Sequence, residues 1–116
     1  MRGQFFTALL VAGLMSGSAL AQPANHAGSA SKEYEASMQA MHHAMMKAND
    51  SDPDRAFALK MIEHHRGGIA MVEVLIKHGD DAELKAMGRK TSDMQKKEIG
   101  ELQAWLDRHG GRTPRP

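Results

Sequence analysis

Two adjacent histidines, His64 and His65, lie in a stretch of the sequence that also carries Met61 and Met71. On a helix, Met61 neighbours both imidazoles, because residues three and four positions apart share one face. Met71 lies about 10 Å along a helix axis from His64, so the two share an ion only if side chains of other helices converge there. Thioether and imidazole groups together form a ligand set for a soft cation such as Cu(I) or Ag(I).

A second cluster of the same composition precedes the first one along the chain. Its members are Met38, Met41, His42, His43, Met45 and Met46. A single methionine on an apolar face usually fills a core. Two predicted helices that each present a histidine pair flanked by methionine favour metal binding over methionine-rich packing with surface histidines.

The absence of cysteine and the spacing of the acidic residues exclude most other metal sites. With no Cys in the chain, disulfide scaffolds, thiolate zinc sites, iron–sulfur clusters and c-type haem are excluded. Methionine serves zinc poorly, no Glu-x-x-His pair of a di-iron bundle occurs, and no acidic run has EF-hand spacing. Copper remains, with Cu(I) favoured and Ag(I) as the alternative ion.

Composition and charge restrict the function further. Apolar residues make up 41% and charged residues 25% of 116 residues, which is typical of one soluble globular domain. A formal net charge of +1 argues against a nucleic-acid binder, because such proteins have a basic excess. No Ser-His-Asp arrangement or nucleophile elbow is visible, so we expect no enzyme activity.

The first 21 residues have the pattern of a secretory signal peptide. Arg2 supplies the positive charge, residues 5–14 are apolar, and Ala19-Leu20-Ala21 is a small-x-small cleavage site. An uncleaved membrane anchor is the alternative, but the apolar run is short for a membrane span. We therefore expect a periplasmic or secreted protein that has no membrane segment after cleavage. Such a compartment oxidises cysteine, whereas methionine stays neutral and available as a ligand.

Hydrophobic periodicity predicts three helices and no strand, which makes the fold all-α. The first helix is predicted to start near Ser31 and to end by Asn49. The second has Asp52 as its cap and Pro53 at its first position, and Gly79 follows its end.

The third helix is predicted to begin after Asp80, which forms a capping box with Glu83, and to end at Gly110-Gly111. The expected organisation is a signal peptide, a flexible leader, a helical metal-binding domain and a tail, at residues 1–21, 22–30, 31–110 and 111–116.

The apolar residues of the second and third helices are predicted to be buried. One stripe of the second helix contains Phe57, Met61, His64, Gly68, Met71 and Leu75; its neighbour contains Ala58, Ile62, His65, Ile69, Val72 and Ile76. The third helix presents Leu84, Met87, Thr91, Met94, Ile99, Leu102, Trp105 and Leu106. So broad an apolar surface is typical of a helix packed between several others.

These elements predict a short helix followed by a long antiparallel helical hairpin, a ferritin-like or four-helix-bundle-like arrangement. Three helices in so short a chain have a thin core, so dimerisation into a larger bundle is a further hypothesis. Gly67 and Gly68 each destabilise a helix interior by about 1 kcal/mol relative to Ala. We expect another helix to approach closely there, although a kink is an equal alternative.

The same residues give the chain a resemblance to a bacterial family called domain of unknown function 305. The resemblance covers about residues 33–109 and rests on Asp54, Phe57, Met61 to His65, Ile69 to Met71, Met94-Gln95, Glu98-Ile99 and Trp105. It implies an exported ferritin-like helical bundle, and some members bind copper or silver through Met and His and are linked to copper tolerance.

The resemblance also assigns ligand positions. Met61, His64, His65 and Met71 match the family motif, and Met94 matches a methionine on the partner helix. The glycine pair at 67–68 departs from the bulkier residues expected there. The cluster at 38–46 is not part of the motif, which leaves open whether the protein has one site or several.

The expected function is buffering or transfer of Cu(I), or of silver, by an exported protein. Its expected partners are the metal ion, a copper-transfer protein and a second copy of the chain. Two alternatives remain at this stage: a helical interaction module whose methionine face binds a partner, and a b-type haem bundle with Met and His axial ligands. His26, His78 and His109 are predicted to lie in the leader or at helix ends rather than in a site.

Overall fold

The computed structural model describes residues 26–110, which form three helices and no strand. The helices are α1 (His26–Lys47), α2 (Pro53–His78) and α3 (Ala82–Arg108). The predicted all-α fold is therefore confirmed. The predicted signal peptide and the C-terminal tail lie outside the described residues.

The boundaries of α2 agree with those predicted from the sequence. The side chain of Asp52 accepts hydrogen bonds from the backbone N–H groups of Asp54 and Arg55, and Pro53 occupies the first position. At the other end, the N–H of Gly79 donates to the carbonyl of Leu75. Because capping groups within one turn of the chain fix both ends of α2, the sequence pattern was sufficient to predict its boundaries.

The boundaries of the other two helices require correction. α1 begins at His26, five residues before Ser31, so the predicted flexible leader is helical from residue 26 onward. Ala27 and Ala30 lie in this segment. Because alanine has the highest helix propensity, these first turns form although they are largely exposed.

The N-terminus of α3 is shifted by one residue from its prediction. The cap is Asp81, whose carboxylate accepts from the N–H of Leu84, and not Asp80. The C-terminal cap is His109 rather than a glycine; its N–H donates to the carbonyls of Trp105 and Leu106. Either aspartate could cap, and the backbone of the short α2–α3 connection selects the second.

Helix α2 is the central element, with α1 packed on one flank and α3 on the other. Within residues 26–110, α1 and α3 do not pack against each other. Both neighbours run antiparallel to α2, as expected for short connections. The described part of the chain is therefore a slab one helix thick rather than a closed bundle.

Few residues are buried in this slab. Among the described residues, the buried apolar side chains are Ala58, Ile62, Val74 and Leu106. Leu59, Ile99, Leu102 and Trp105 are half-buried around the cluster that includes Ile62 and Leu106. The first α2 stripe and much of the α3 face are not buried as predicted, because each helix has a neighbour on only one or two sides: Phe57 is 60% exposed and Met87 is 59% exposed.

Polar contacts tie down both ends of the slab. At one end, Arg55 donates to Asp50 (2.9 Å) and to the carbonyl of His109 (2.9 Å), which joins the α1–α2 connection to the end of α3. At the other end, Lys77 donates to Glu33 (2.7 Å), and His78 Nε2 lies 3.1 Å from the same carboxylate. Hydrogen bonds from Lys77 and then His78 lower the pKa of Glu33 below its ordinary value of 4.5.

The two central glycines of α2 each accommodate a side chain from a different neighbour. A Cβ at Gly67 would lie 2.5 Å from Cγ and 2.6 Å from Cβ of Met41 on α1. A Cβ at Gly68 would lie 2.7 Å from the amide nitrogen of Gln95 on α3. The close approach expected at this pair is confirmed, and the two flanking helices make it at the same level of α2.

The two glycines should respond differently to substitution by alanine. In Gly67→Ala the clash involves Met41 atoms near the α1 backbone, so we expect a net loss of about 1–3 kcal/mol of stability. In Gly68→Ala the clash involves the terminal amide of the long Gln95 side chain, which can change rotamer, and the gain of roughly 1 kcal/mol in helix propensity offsets it. Urea unfolding of both variants measures this difference; equal stability of the two would contradict the packing.

Acid should weaken the attachment of α1 to α2 through Glu33. Because its folded-state pKa is lowered, the contribution of this carboxylate is fully present above its ordinary pKa and is lost as pH falls through the lowered value. Glu33→Gln should therefore lower the melting temperature at pH 7 and have little effect in strong acid. Glu35→Gln, on an exposed carboxylate that accepts only from Gln39 among the described side-chain bonds, is the control. A pH-independent effect of Glu33→Gln would be inconsistent with this account.

Candidate metal centre

One broad side of the slab, here called the open face, carries the first α2 stripe. α1 contacts α2 through Gly67, whereas α3 contacts it through His65 and Gly68. His64 and Met71 lie between these two contact lines around the helix, at 3.6 residues per turn. His64 is accordingly exposed and Met71 half-buried. The open face is thus defined by Phe57, His64 and Met71 on α2, with the adjoining sides of α1 and α3.

The methionines of α1 divide between different sides of the helix. Met41 packs over Gly67, and Met38 and Met45 lie about 40–60° farther round the helix, on the open-face side. Lys47 lies on the other side of α1, beside Arg66. Met38 is 47% exposed, whereas Met45 is half-buried.

The remaining members of the α1 cluster do not face α2. Met46 lies on the outer side of α1 and is 63% exposed, and both His42 and His43 are exposed. A spacing of three or four residues placed these side chains near one another on the helix, but not on the surface that meets the other helices. The structure therefore does not bring the six predicted ligands of the first cluster together.

Helix α3 adds methionines from the opposite edge of the open face. Gln95 lies against Gly68, and Met94 and Met87 follow round the helix on the same side, 51% and 59% exposed. Lys96 lines a separate groove with Glu73 on the other side of the slab. Met94, matched to a ligand position by resemblance, is thus on the same face as His64.

The register of the three helices places one methionine from each at the same level. The pairing of Met41 with Gly67 and of Glu33 with Lys77 sets Met38 alongside residue 70 of α2. The pairing of Gln95 with Gly68 sets Met94 alongside residue 69. Met38, Met71 and Met94, one methionine on each helix and here called the thioether trio, therefore lie at about the same level of the open face, although α1 and α3 do not contact each other. His64 lies about 8–10 Å farther along, with Met41 between.

The two adjacent histidines occupy different environments. Their ring centroids are 5.9 Å apart with planes tilted by 59°. His65 enters the α2–α3 interface, where its Nε2 lies 2.6 Å from Glu98 and its side chain is 15% exposed. His64 stays on the open face. The pair is therefore not one chelating unit, because consecutive residues diverge by about 100° on a helix.

Two buried polar atoms at this interface have no hydrogen-bond partner. They are Nδ1 of His65 and Oε1 of Gln95, one turn apart along the α2–α3 contact. In the tautomer that carries its proton on Nε2, Glu98 accepts that proton's hydrogen bond and the lone pair lies on Nδ1, which is the form of histidine that ligates a metal. Met61 lines the same groove as His65.

Sequence reasoning missed the role of Glu98. The side chain of Glu98 is 52% exposed, as expected for a solvated helix face, yet its carboxylate lies 2.6 Å from Nε2 of His65. The spacing of three residues between Gln95 and Glu98 indicates that both side chains lie on one face of α3. In the structure this face meets α2. Only the register with α2 identifies their partners.

His78 and His109 lie outside the open face, and the side chain of His26 is not among those that the structure describes. His78 contacts Glu33 at the end of α2, and His109 stacks on Trp105 with centroids 4.1 Å apart. His26 is the first residue of α1. Both helix-end predictions are consistent with the positions of His78 and His109.

The donor set differs from that of hard-metal sites. Among residues 26–110, no three His, Asp or Glu side chains are grouped closely enough to hold a metal ion. Thioethers are instead the most numerous donors on the open face. No helix in the described part of the chain is long and apolar enough to cross a membrane.

The chain matches the model of a protein family. The model of a domain of unknown function, DUF305, matches residues 11–106, which include all three helices except the last two residues of α3. A search of curated proteins gives no match to the chain.

Loss of the Glu98 carboxylate should change the tautomer of His65. In Glu98→Ala, the proton on Nε2 loses its acceptor, so the imidazole should populate both neutral tautomers. Nitrogen-15 chemical shifts of the labelled histidine ring measure the two forms directly. Glu101→Ala, a carboxylate lining the same groove without the bond to His65, should leave the shifts unchanged. Identical spectra for wild type and Glu98→Ala would contradict the assigned hydrogen bond.

Proposed function

The chain belongs to the DUF305 family, and on that premise we propose that it is an exported protein that binds Cu(I), or Ag(I), on its open face. It holds the metal for buffering, tolerance or transfer in the periplasm or outside the cell, by binding and release rather than catalytic turnover. The observation that carries the proposal is the thioether trio, with one methionine from each helix at one level and His64 about 8–10 Å farther along the same face.

The chemistry of the donors supports a monovalent soft ion. Met38, Met71 and Met94 are neutral, polarisable thioethers, which suit Cu(I) better than Cu(II) or Zn(II). They do not need to lose a proton before binding. His64 is exposed about 8–10 Å farther along the same face, where it supplies a nitrogen donor.

The exposure of the donors supports exchange rather than permanent storage. Met38 and Met94 are each about half exposed, at 47% and 51%. A metal held by such side chains is accessible to the donors of a partner protein, so transfer can proceed through shared ligands. Met41 and Met45 continue the row of thioethers toward His64, which gives the ion neighbouring positions on the same surface.

His65 is proposed as a secondary donor. Its buried Nδ1 has no partner, and Glu98 orients the ring from the other nitrogen. This carboxylate–imidazole arrangement is the usual outer-shell support of a metal-bound histidine. Met61 is the nearest thioether along the helix. His42, His43 and Met46 are left out of the proposed site because they do not face α2.

The export part of the proposal rests on the N-terminal pattern and on residue usage. The chain has 10 Met, 7 His and no Cys. In an oxidising compartment a thiolate site would be lost to disulfide formation, whereas thioethers oxidise more slowly. Recovery of the protein from the periplasmic fraction of its own host, with a new N-terminus at residue 22, tests this part.

Removal of trio methionines should weaken Cu(I) binding. Met71→Leu and Met94→Leu keep the side-chain volume and remove the sulfur, so each should reduce affinity about tenfold or more, equivalent to about 1.4 kcal/mol. Competition with a chromophoric Cu(I) chelator under anaerobic conditions measures the change. Met46→Leu, on the outer side of α1, is the matched control.

The result that would contradict the proposal is equally specific. Wild-type protein that fails to compete with a weak chelator, or affinity that is the same in Met71→Leu, Met94→Leu and Met46→Leu, would exclude the open face as the site. Circular dichroism of each variant checks that the helices are intact.

A further inference from the structure

The open face exposes more apolar surface than a small monomer usually does. Its large hydrophobic side chains are about half exposed: Met38 47%, Phe57 60%, Leu84 49%, Met87 59% and Met94 51%. Side chains of this size and exposure each leave on the order of 100 Å² uncovered, so together they leave about 500 Å². That area is at the upper end of patches on monomers, and such patches mark interaction sites.

This area matches what one partner contributes to a stable dimer. A standard interface buries about 800 Å² per partner, of which about 60% is apolar, or roughly 500 Å². The groove lined by Met61, Leu102 and Trp105 opens beside Phe57 and extends the same surface. With only four apolar side chains buried among residues 26–110, burial of this face would more than double the apolar core.

The charge pattern favours a second copy of the chain as the occupant. In a two-fold dimer the same patch meets itself, so like charges at its centre would repel. The α2 stripe at the centre of the open face consists of Phe57, Met61, His64, Gly68, Met71 and Leu75, none of them Asp, Glu, Lys or Arg. Charged residues lie at the α3 edge of the face, where Glu98, Glu101 and Arg108 line the groove beside Phe57, and on the opposite side of the slab, where Glu73 and Lys96 line another groove.

We propose that two copies pair through their open faces and that the thioether donors of the second copy complete the copper site. This inference rests on the proposed function. In one copy, the trio and His64 project from a single flat surface, so a bound ion has donors on one side and solvent on the other. Pairing places a second set of the same donors opposite the first and excludes water from between them.

Two substitutions separate pairing from ligand loss. Phe57→Lys and Leu84→Lys introduce a charge at opposite ends of the open face without removing a Met or His. Ala86→Lys is the matched control, because Ala86 is exposed on the side of α3 that faces away from α2. Phe57 and Leu84 are too exposed for either change to remove much core packing.

The experiment measures oligomeric state by sedimentation velocity of the purified protein, with and without Ag(I), and Cu(I) affinity by chelator competition. We expect a wild-type dimer, and in both face variants a dimer dissociation constant and a Cu(I) affinity weakened about tenfold or more. Ala86→Lys should change neither quantity.

Three outcomes would overturn the shared site. A monomer with and without Ag(I) that still binds Cu(I) through Met71 would refute pairing and leave the proposed function intact. A dimer that binds no Cu(I) would refute the proposed function and the shared site together. A dimer unaffected by Phe57→Lys and Leu84→Lys would show that another surface pairs.

Discussion

The close approach of α1 and α3 to the middle of α2 is the constraint on which the rest of the structure depends. Met41 crosses α2 where residue 67 has no side chain, and Gln95 crosses where residue 68 has none. Because the two glycines are consecutive, the neighbours approach from different sides of α2 at one level. This geometry sets the register of all three helices and leaves one stripe of α2 uncovered between them.

The uncovered stripe of α2 leaves His64 and methionine side chains accessible as metal donors. A closed three-helix bundle would bury His64 and the methionines of α2, and they would serve as core filler. In the slab, the same residues lie on a surface with thioethers from both flanking helices. The thin core and the donor-rich face are therefore two consequences of one arrangement, and a partner that covers the face compensates for the missing burial.

Local features of the sequence were sufficient to predict the helices but not their surroundings. The ends of α2 were predicted correctly because Asp52, Pro53 and Gly79 act within one turn of the chain. The burial of Phe57 and Met87 was predicted wrongly, because periodicity identifies an apolar side of a helix without indicating whether a neighbour covers it. The cap of α3 was misplaced by one residue because two aspartates, Asp80 and Asp81, are chemically equivalent there.

The candidate site was only partly visible in the sequence for the same reason. Residue types and spacing identified His64 and Met71, but grouped His64 with His65, which the helix turns into a different interface. Met38, Met71 and Met94 are far apart along the chain, and only the register shows that they share a level. The supporting role of Glu98 toward His65 likewise depends on a contact between helices.

The most direct test of copper binding at this face is X-ray absorption spectroscopy of the Cu(I)-loaded protein. We expect a first shell dominated by thioether sulfur, with a minor imidazole contribution. Met71→Leu should lower the sulfur contribution, whereas Met46→Leu should not. A first shell made only of nitrogen and oxygen, or a sulfur contribution that Met71→Leu leaves unchanged, would contradict copper binding at the open face.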